Sequence, residues 1–143
     1  MIRVPATKFA PPRDTAGARC LLAAGVLLLA AAAGADPRTT ADGVYSTAQA
    51  KSGQAVHEKY CAKCHHHSYY QGSFLLSWQN QPVSALYDLI ELKMPEDRPG
   101  ALKPREYAAL LAYVFELNEL PAGDEKLSDD HDAMQNILIT SDP

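Results

Sequence analysis

Apolar and polar positions along the chain fall into four regimes. Cys20 to Ala35 is an unbroken run of 16 apolar or small residues. From Thr47 to Tyr60 the residues are helix-tolerant, including Ala48, Ala50, Ala55, Glu58 and Lys59, and Thr47 is placed to cap the orphan N–H groups of a first helix. Gly53 lies inside that helix, where a glycine costs up to ~1 kcal/mol against alanine; close approach of another backbone is the candidate reason. From Pro82, Val83, Leu86, Leu89 and Ile90 form the apolar side of a second helix, with Pro82 suited to its first position. Pro95 ends that helix, because a residue preceding proline is pushed out of helical geometry.

A third helix opens at Pro104 and is closed by Pro121. Tyr107, Leu110, Leu111, Val114 and Asn118 recur at helical spacing, and Tyr113 and Leu117 widen the apolar face. Residues 65–81 and 95–103 read as loops. No repeat and no strand pattern stands out. The pattern predicts an all-α unit of three to four helices joined by long loops.

The 20–35 run changes what the composition means. Arg3, Lys8, Arg13 and Arg19 precede it, with Asp14 the only acid, and Ala33-Gly34-Ala35 closes it as a small-x-small site. That is the layout of a signal peptide spanning residues 1–35. The rival is an uncleaved anchor, but 16 residues fall short of the ~20 a spanning helix needs. Cys20 precedes the run, whereas a lipidated cysteine would follow it. The chain has 143 residues with a formal charge of −4. Removing residues 1–35 takes four of 13 basic residues and one of 17 acidic ones, leaving 108 residues at −7. Nucleic acid is then excluded as a partner, since neutralising phosphates needs a basic surface. The expected organisation is a signal peptide at 1–35, a flexible leader at 36–45, a folded domain at 46–123 and an acidic tail at 124–143. Ile137 to Ile139 in the tail are available to dock. His131 reads as a solvated tail residue.

The candidate chemistry lies at Cys61-Ala62-Lys63-Cys64-His65, a C-x-x-C-H pattern. This is the attachment signature of a c-type haem. Residues i and i+3 share one face of a helical turn, so two thiols there can add to the vinyl groups of one porphyrin while His65 offers a ring nitrogen to iron. Two other chemistries use such a pair. A redox-active C-x-x-C opens a helix after a strand, and no βαβ pattern surrounds this one. A zinc site needs four ligands, to be drawn from Cys61, Cys64, His57, His65, His66 and His67. Met94 is the leading candidate for a sixth iron ligand, and His/Met ligation raises a haem potential; its competing reading is a core-filling methionine. Met134, in the acidic tail, is a weaker candidate. His66 and His67 read as exposed loop residues, and His57 as a helix–helix contact.

Together these residues resemble a class I c-type cytochrome: Cys61-x-x-Cys64-His65, Met94-Pro95, Pro99-Gly100-x-Leu102, and the helix from Glu106-Tyr107-Ala108 through Leu111-Ala112-Tyr113. Gln49-Ala50-x-x-Gly53-x-Ala55-Val56 and Leu117-Asn118-Glu119-Leu120-Pro121-Ala122-Gly123 further resemble monohaem cytochromes associated with periplasmic quinoprotein alcohol dehydrogenases. The resemblance covers roughly residues 45–123. It implies the cytochrome c fold, with N- and C-terminal helices crossing around one covalently bound haem c. It implies Cys61 and Cys64 as attachment points and His65 and Met94 as axial ligands. The implied function is periplasmic electron transfer, not catalysis. The implied donor is a periplasmic redox protein such as a quinoprotein dehydrogenase. The implied acceptor is a terminal oxidase or another cytochrome, and the membrane becomes a partner only if the signal is uncleaved. Two alternatives stay open: a bound haem subunit of a dehydrogenase complex, and a haem enzyme or gas sensor with an open sixth site.

The resemblance also exposes departures. The family's first-helix aromatic falls at His57, four residues after Gly53. His66 stands where a glycine usually follows the motif. No proline occurs between His65 and Pro82, so the family's usual acceptor for the ligand histidine is absent. The interval from His65 to Met94 is short. Lys63, Lys93, Arg98, Lys103 and Arg105 are expected around the motif and the Met94 loop, where cations can orient a partner.

Overall fold

In the computed structural model, residues 37–140 are described. The expected signal peptide, with Cys20, and the last three residues lie outside them. The described region is built from five helices: α1 (Thr47–Tyr60), α2 (Ser73–Leu76), α3 (Val83–Lys93), α4 (Pro104–Leu117) and α5 (His131–Gln135). Two-residue strands β1 (Arg38–Thr39) and β2 (Ile137–Leu138) pair in parallel and tie the two ends together. That pairing is too short to leave a period-2 pattern in the sequence.

Helix boundaries follow local chemistry closely. The cap of α1 is Ser46, one residue before the expected Thr47: its hydroxyl accepts from Gln49 N–H at 3.3 Å. Pro82 is the N-cap of α3, one position earlier than expected, whereas Pro104 occupies the first turn of α4. At Lys103 the backbone N–H donates to the Glu106 carboxylate at 2.8 Å, which satisfies one orphan donor. Met94 caps α3 with extended backbone, as the following proline requires.

Helix α4 is the axis of the domain. Every residue from Tyr107 to Phe115 is buried, more than the single apolar face expected. The cause is that α1, α3 and the turn after the motif pack on it, with the Tyr45 ring against Phe115. Helix α1 crosses α4 at Gly53. A Cβ there would overlap the Ala109 carbonyl and come within 2.9 Å of Tyr113 Cβ, so glycine is what lets the two backbones meet.

The segments before α1 and after α4 are anchored, where the sequence predicts a flexible leader at 36–45 and an acidic tail with Ile137 to Ile139 available to dock. Val44 and Tyr45 are buried, and the Tyr45 hydroxyl donates to Leu120 C=O at 2.6 Å. Burial pushes the Tyr45 phenol up to about 12, so it remains a donor at neutral pH. Gly123 N–H returns a bond to Tyr45 C=O at 2.7 Å, and a side chain on Gly123 would strike the Gly43 carbonyl. Beyond that point the tail re-enters the core through Leu127, Met134, Ile137 and Ile139, all buried. Gln49 holds Leu127 by both of its amide atoms, donating to its carbonyl at 2.9 Å and accepting its N–H at 2.7 Å. Ile139 exchanges backbone bonds with Asn80 and Gln81, which fixes the loop before α3. The acidic residues stay outside while the apolar ones between them turn in. His131 is exposed and lies 3.2 Å from the Asp88 carboxylate, which raises its pKa.

Replacing Gly53 by alanine is expected to destabilise the folded protein by about 1–3 kcal/mol, because the backbones at the crossing must move apart. Guanidinium denaturation of wild type and variant measures it.

Candidate functional site

Where α1 ends, the chain makes one more turn rather than leaving the helix. Cys61 and Ala62 both donate to His57 C=O, at 2.8 and 2.9 Å, and Cys64 and His65 both donate to Cys61 C=O, at 3.0 and 2.8 Å. This tight turn holds the two cysteines and His65 on the lip of a cavity of about 550 Å³. Met94 lines the same cavity from the end of α3. All four sequence-predicted site residues therefore meet in one place. Both thiols are free. Burial raises the pKa of the half-buried Cys61 thiol, and a hydrogen bond with Tyr70 acts the other way.

The walls are largely apolar: Tyr69, Tyr70, Phe74, Leu89, Ile90 and Leu110. Three of these come from the stretch after the motif that shows no periodicity. There His67–Tyr70 form a 3₁₀ turn, and α2 follows at once. The end of α4 pins this stretch. Asn118 donates to Tyr70 C=O at 2.8 Å and accepts Gly72 N–H at 3.0 Å, and Gln71 donates to Leu117 C=O at 3.0 Å. The aromatic rings then stack edgewise, Tyr70 on Phe74 with centroids 5.5 Å apart and Tyr69 on Tyr70 at 5.3 Å. Leu89, expected in the core face of α3, is 44% exposed and stands at the cavity mouth.

Two polar contacts absent from the sequence reading support the site. Tyr107 donates from its hydroxyl to Met94 C=O at 3.2 Å and accepts Leu102 N–H at 3.4 Å. Burial raises its pKa, so the donating proton is kept. The ring of His57 reaches the carbonyl of His65. Neither has a local motif, because each partner is distant in the chain or on another element.

Of the expected cations, Lys63 and Arg98 line the cavity, joined by Lys59 and offset by Glu96 and Asp97. Arg105 instead lines a separate groove with Gln49, Glu106 and Lys126. His66 and His67 are exposed, as expected; His66 caps the 3₁₀ turn through Ser68. Met134 is fully buried and does not line this cavity, so it is a core residue.

Residues 48–114 match the family model of cytochrome c oxidase, cbb3-type, subunit III. The match supports reading this segment as a class I c-type cytochrome domain. The five helices and minimal strand accord with an all-α cytochrome c fold. Such a domain implies covalently bound haem c, supports haem-based electron transfer, and is usually exported. The matched stretch runs from the first turn of α1 almost to the end of α4, and the re-entrant tail follows it. No curated protein and no solved structure matches the chain. Among the described residues, no helix is long and apolar enough to cross a membrane.

The residues present fit a haem. Two unpaired thiols, an imidazole and a thioether share one apolar cavity. Among the described residues there is no cluster of three or more Cys, His, Asp or Glu suited to a metal ion alone, so the zinc reading finds no closed ligand set.

Tyr107→Phe is expected to cost about 1 kcal/mol, the net value of a hydrogen bond. Its signature is a lower melting temperature with faster amide exchange at Leu102, the N–H that the hydroxyl covers.

Proposed function

We propose that this protein is a periplasmic electron carrier that holds one haem c through Cys61 and Cys64, with His65 and Met94 as axial ligands. One observation carries the reading: the motif turn and the Met94 turn, 29 residues apart in the chain, border the same cavity. When bound, the haem supplies one-electron redox chemistry without bonding a substrate.

Each residue then has a task. The thiols of Cys61 and Cys64 anchor the macrocycle covalently, which suits an exported protein whose cofactor would otherwise be lost by dilution. His65 supplies a nitrogen ligand, and Met94 a thioether that favours the reduced state. Tyr70, Phe74, Ile90 and Leu110 exclude water from the cavity and lower its local dielectric. Tyr69 and Leu89, 55% and 44% exposed, form an apolar rim beside it. Lys59, Lys63 and Arg98 lie around that rim and would guide a partner mainly through association rate.

The donor we favour is a periplasmic redox protein, with a quinoprotein dehydrogenase as one candidate. The acceptor we favour is a terminal oxidase or another cytochrome; the description of the matching family, an oxidase subunit, supports that side of the exchange. Export rests on the basic-then-apolar segment at residues 1–35.

Protein purified from the periplasm should have the mass of a chain starting near residue 36 plus one haem. Its ferric spectrum should show a weak long-wavelength sulfur-to-iron band; a high-spin spectrum that changes with carbon monoxide would overturn the reading. Met94→Ala should keep the haem attached and lower the reduction potential by part of the ~0.8 V range that axial ligands span. Replacing Cys61 and Cys64 together by alanine should abolish covalent holoprotein.

A further inference from the structure

His57 is a buried polar residue in an apolar place. It is 4% exposed, and its ring lies between Tyr70, edge-on at 5.5 Å, and Tyr113 of α4 at 5.6 Å. Burying an imidazole among aromatic rings is costly unless its polar atoms are paired. Here the pairing is specific. Nε2 lies 2.8 Å from the carbonyl oxygen of His65. A carbonyl oxygen can only accept, so Nε2 carries the proton and donates it.

The backbone of the same residue holds the other end of the motif. His57 C=O accepts from Cys61 N–H and Ala62 N–H. One residue thus grips the five-residue turn at both ends, its carbonyl at the start and its ring at the finish. The consequence follows from geometry. The carbonyl of His65 is attached to the Cα that carries the imidazole, so fixing that carbonyl restricts the peptide plane beside His65 and limits how the turn can open. A phenyl ring at position 57 would fill the same space between Tyr70 and Tyr113 without reaching His65.

We infer that His57 is a positioning residue: its Nε2–H bond to the His65 carbonyl sets the orientation in which His65 is presented. This rests on the reading of Cys61, Cys64 and His65 as the haem site. It goes beyond that reading by assigning the presentation of His65 to a side chain one turn upstream of the motif.

The test compares the holoproteins of wild type, His57→Phe and His57→Gln. Phenylalanine keeps the ring and removes the donor; glutamine places an amide N–H close to where Nε2 lies. Two readouts are taken: the g values of the low-spin ferric signal, which report ligand orientation, and amide exchange at Cys64 and His65. The phenylalanine variant should show shifted g values and exchange about tenfold faster in the turn, the scale of one lost hydrogen bond. Exchange at Ala109, at the helix crossing, should not change. Glutamine should restore both readouts to within about twofold of wild type, on the same scale. Wild-type values in the phenylalanine variant overturn the proposal. So does equal disturbance by both variants, which would mean that restoring an N–H donor at position 57 does nothing for the turn. If the phenylalanine variant yields no holoprotein, maturation of the glutamine variant with a wild-type spectrum supports the proposal, and its failure overturns it. Wild-type protein without attached haem is a separate result: it ends the haem reading, while exchange in the turn still reports whether the bond holds it.

Discussion

The contact between α1 and α4 at Gly53 is the constraint on which the other features depend. With no side chain at that point, the α1 backbone lies directly against the Ala109 carbonyl and the base of Tyr113. That closeness fixes where α1 ends relative to α4. The motif turn grows from the end of α1, and the stretch that walls the cavity is pinned to the end of α4 through Leu117 and Asn118. A separation forced at Gly53 would move the cysteines and the aromatic wall apart together. The energetic cost of a helical glycine is small beside that role, roughly 1 kcal/mol.

The segments before α1 and after α4 reinforce the same crossing. Tyr45 donates from its hydroxyl to Leu120 C=O and accepts Gly123 N–H at its own carbonyl, and Gln49 on α1 holds Leu127. The tail then runs back to cover α3 through Met134 and to fix residues 80–81 through Ile139. A domain this small buries a modest core, and a fully buried Met134, Ile137 and Ile139 enlarge it from outside the segment that matches the cytochrome family. Of the apolar side chains that line the cavity, Tyr70, Ile90 and Leu110 belong to that core, and their cavity-facing side has the apolar character a macrocycle needs.

The long helices were legible from different signals: helix-tolerant residues behind a capping position for α1, and prolines at the boundaries with apolar residues at helical spacing for α3 and α4. The meeting of Cys61, Cys64, His65 and Met94 was legible for a different reason, a short motif with fixed spacing followed by Met-Pro at a helix end. What stayed hidden was tertiary. The loop at 65–81 has no period because a 3₁₀ turn and a four-residue helix are too short to show one. Ile137 to Ile139 are legible as a docking segment, but where they dock is not, and Leu127 and Met134 are single apolar residues on either side of the acidic stretch at 129–132. Leu89 has the right spacing for the core, yet faces the cavity mouth, because α3 lies beside a cleft rather than beside another helix there.

The departures from the family pattern are informative where they coincide in space. His57 stands where an aromatic is expected, and the loop beyond His65 lacks the proline whose carbonyl would orient that histidine. In the folded chain both features concern one residue, His65. The aromatic position has been given a donor, and the donor is aimed at the backbone of the residue that has lost its usual neighbour. At the end of α3, Tyr107 from α4 donates to the Met94 carbonyl in the same manner. Each crossing helix therefore contributes one buried polar ring that fixes the main chain beside one proposed ligand. A buried hydrogen bond of this kind adds little net stability, but leaving its acceptor unpaired costs more. Its value lies in selecting a single backbone geometry, which is what a site that must hold two ligands in fixed relation requires.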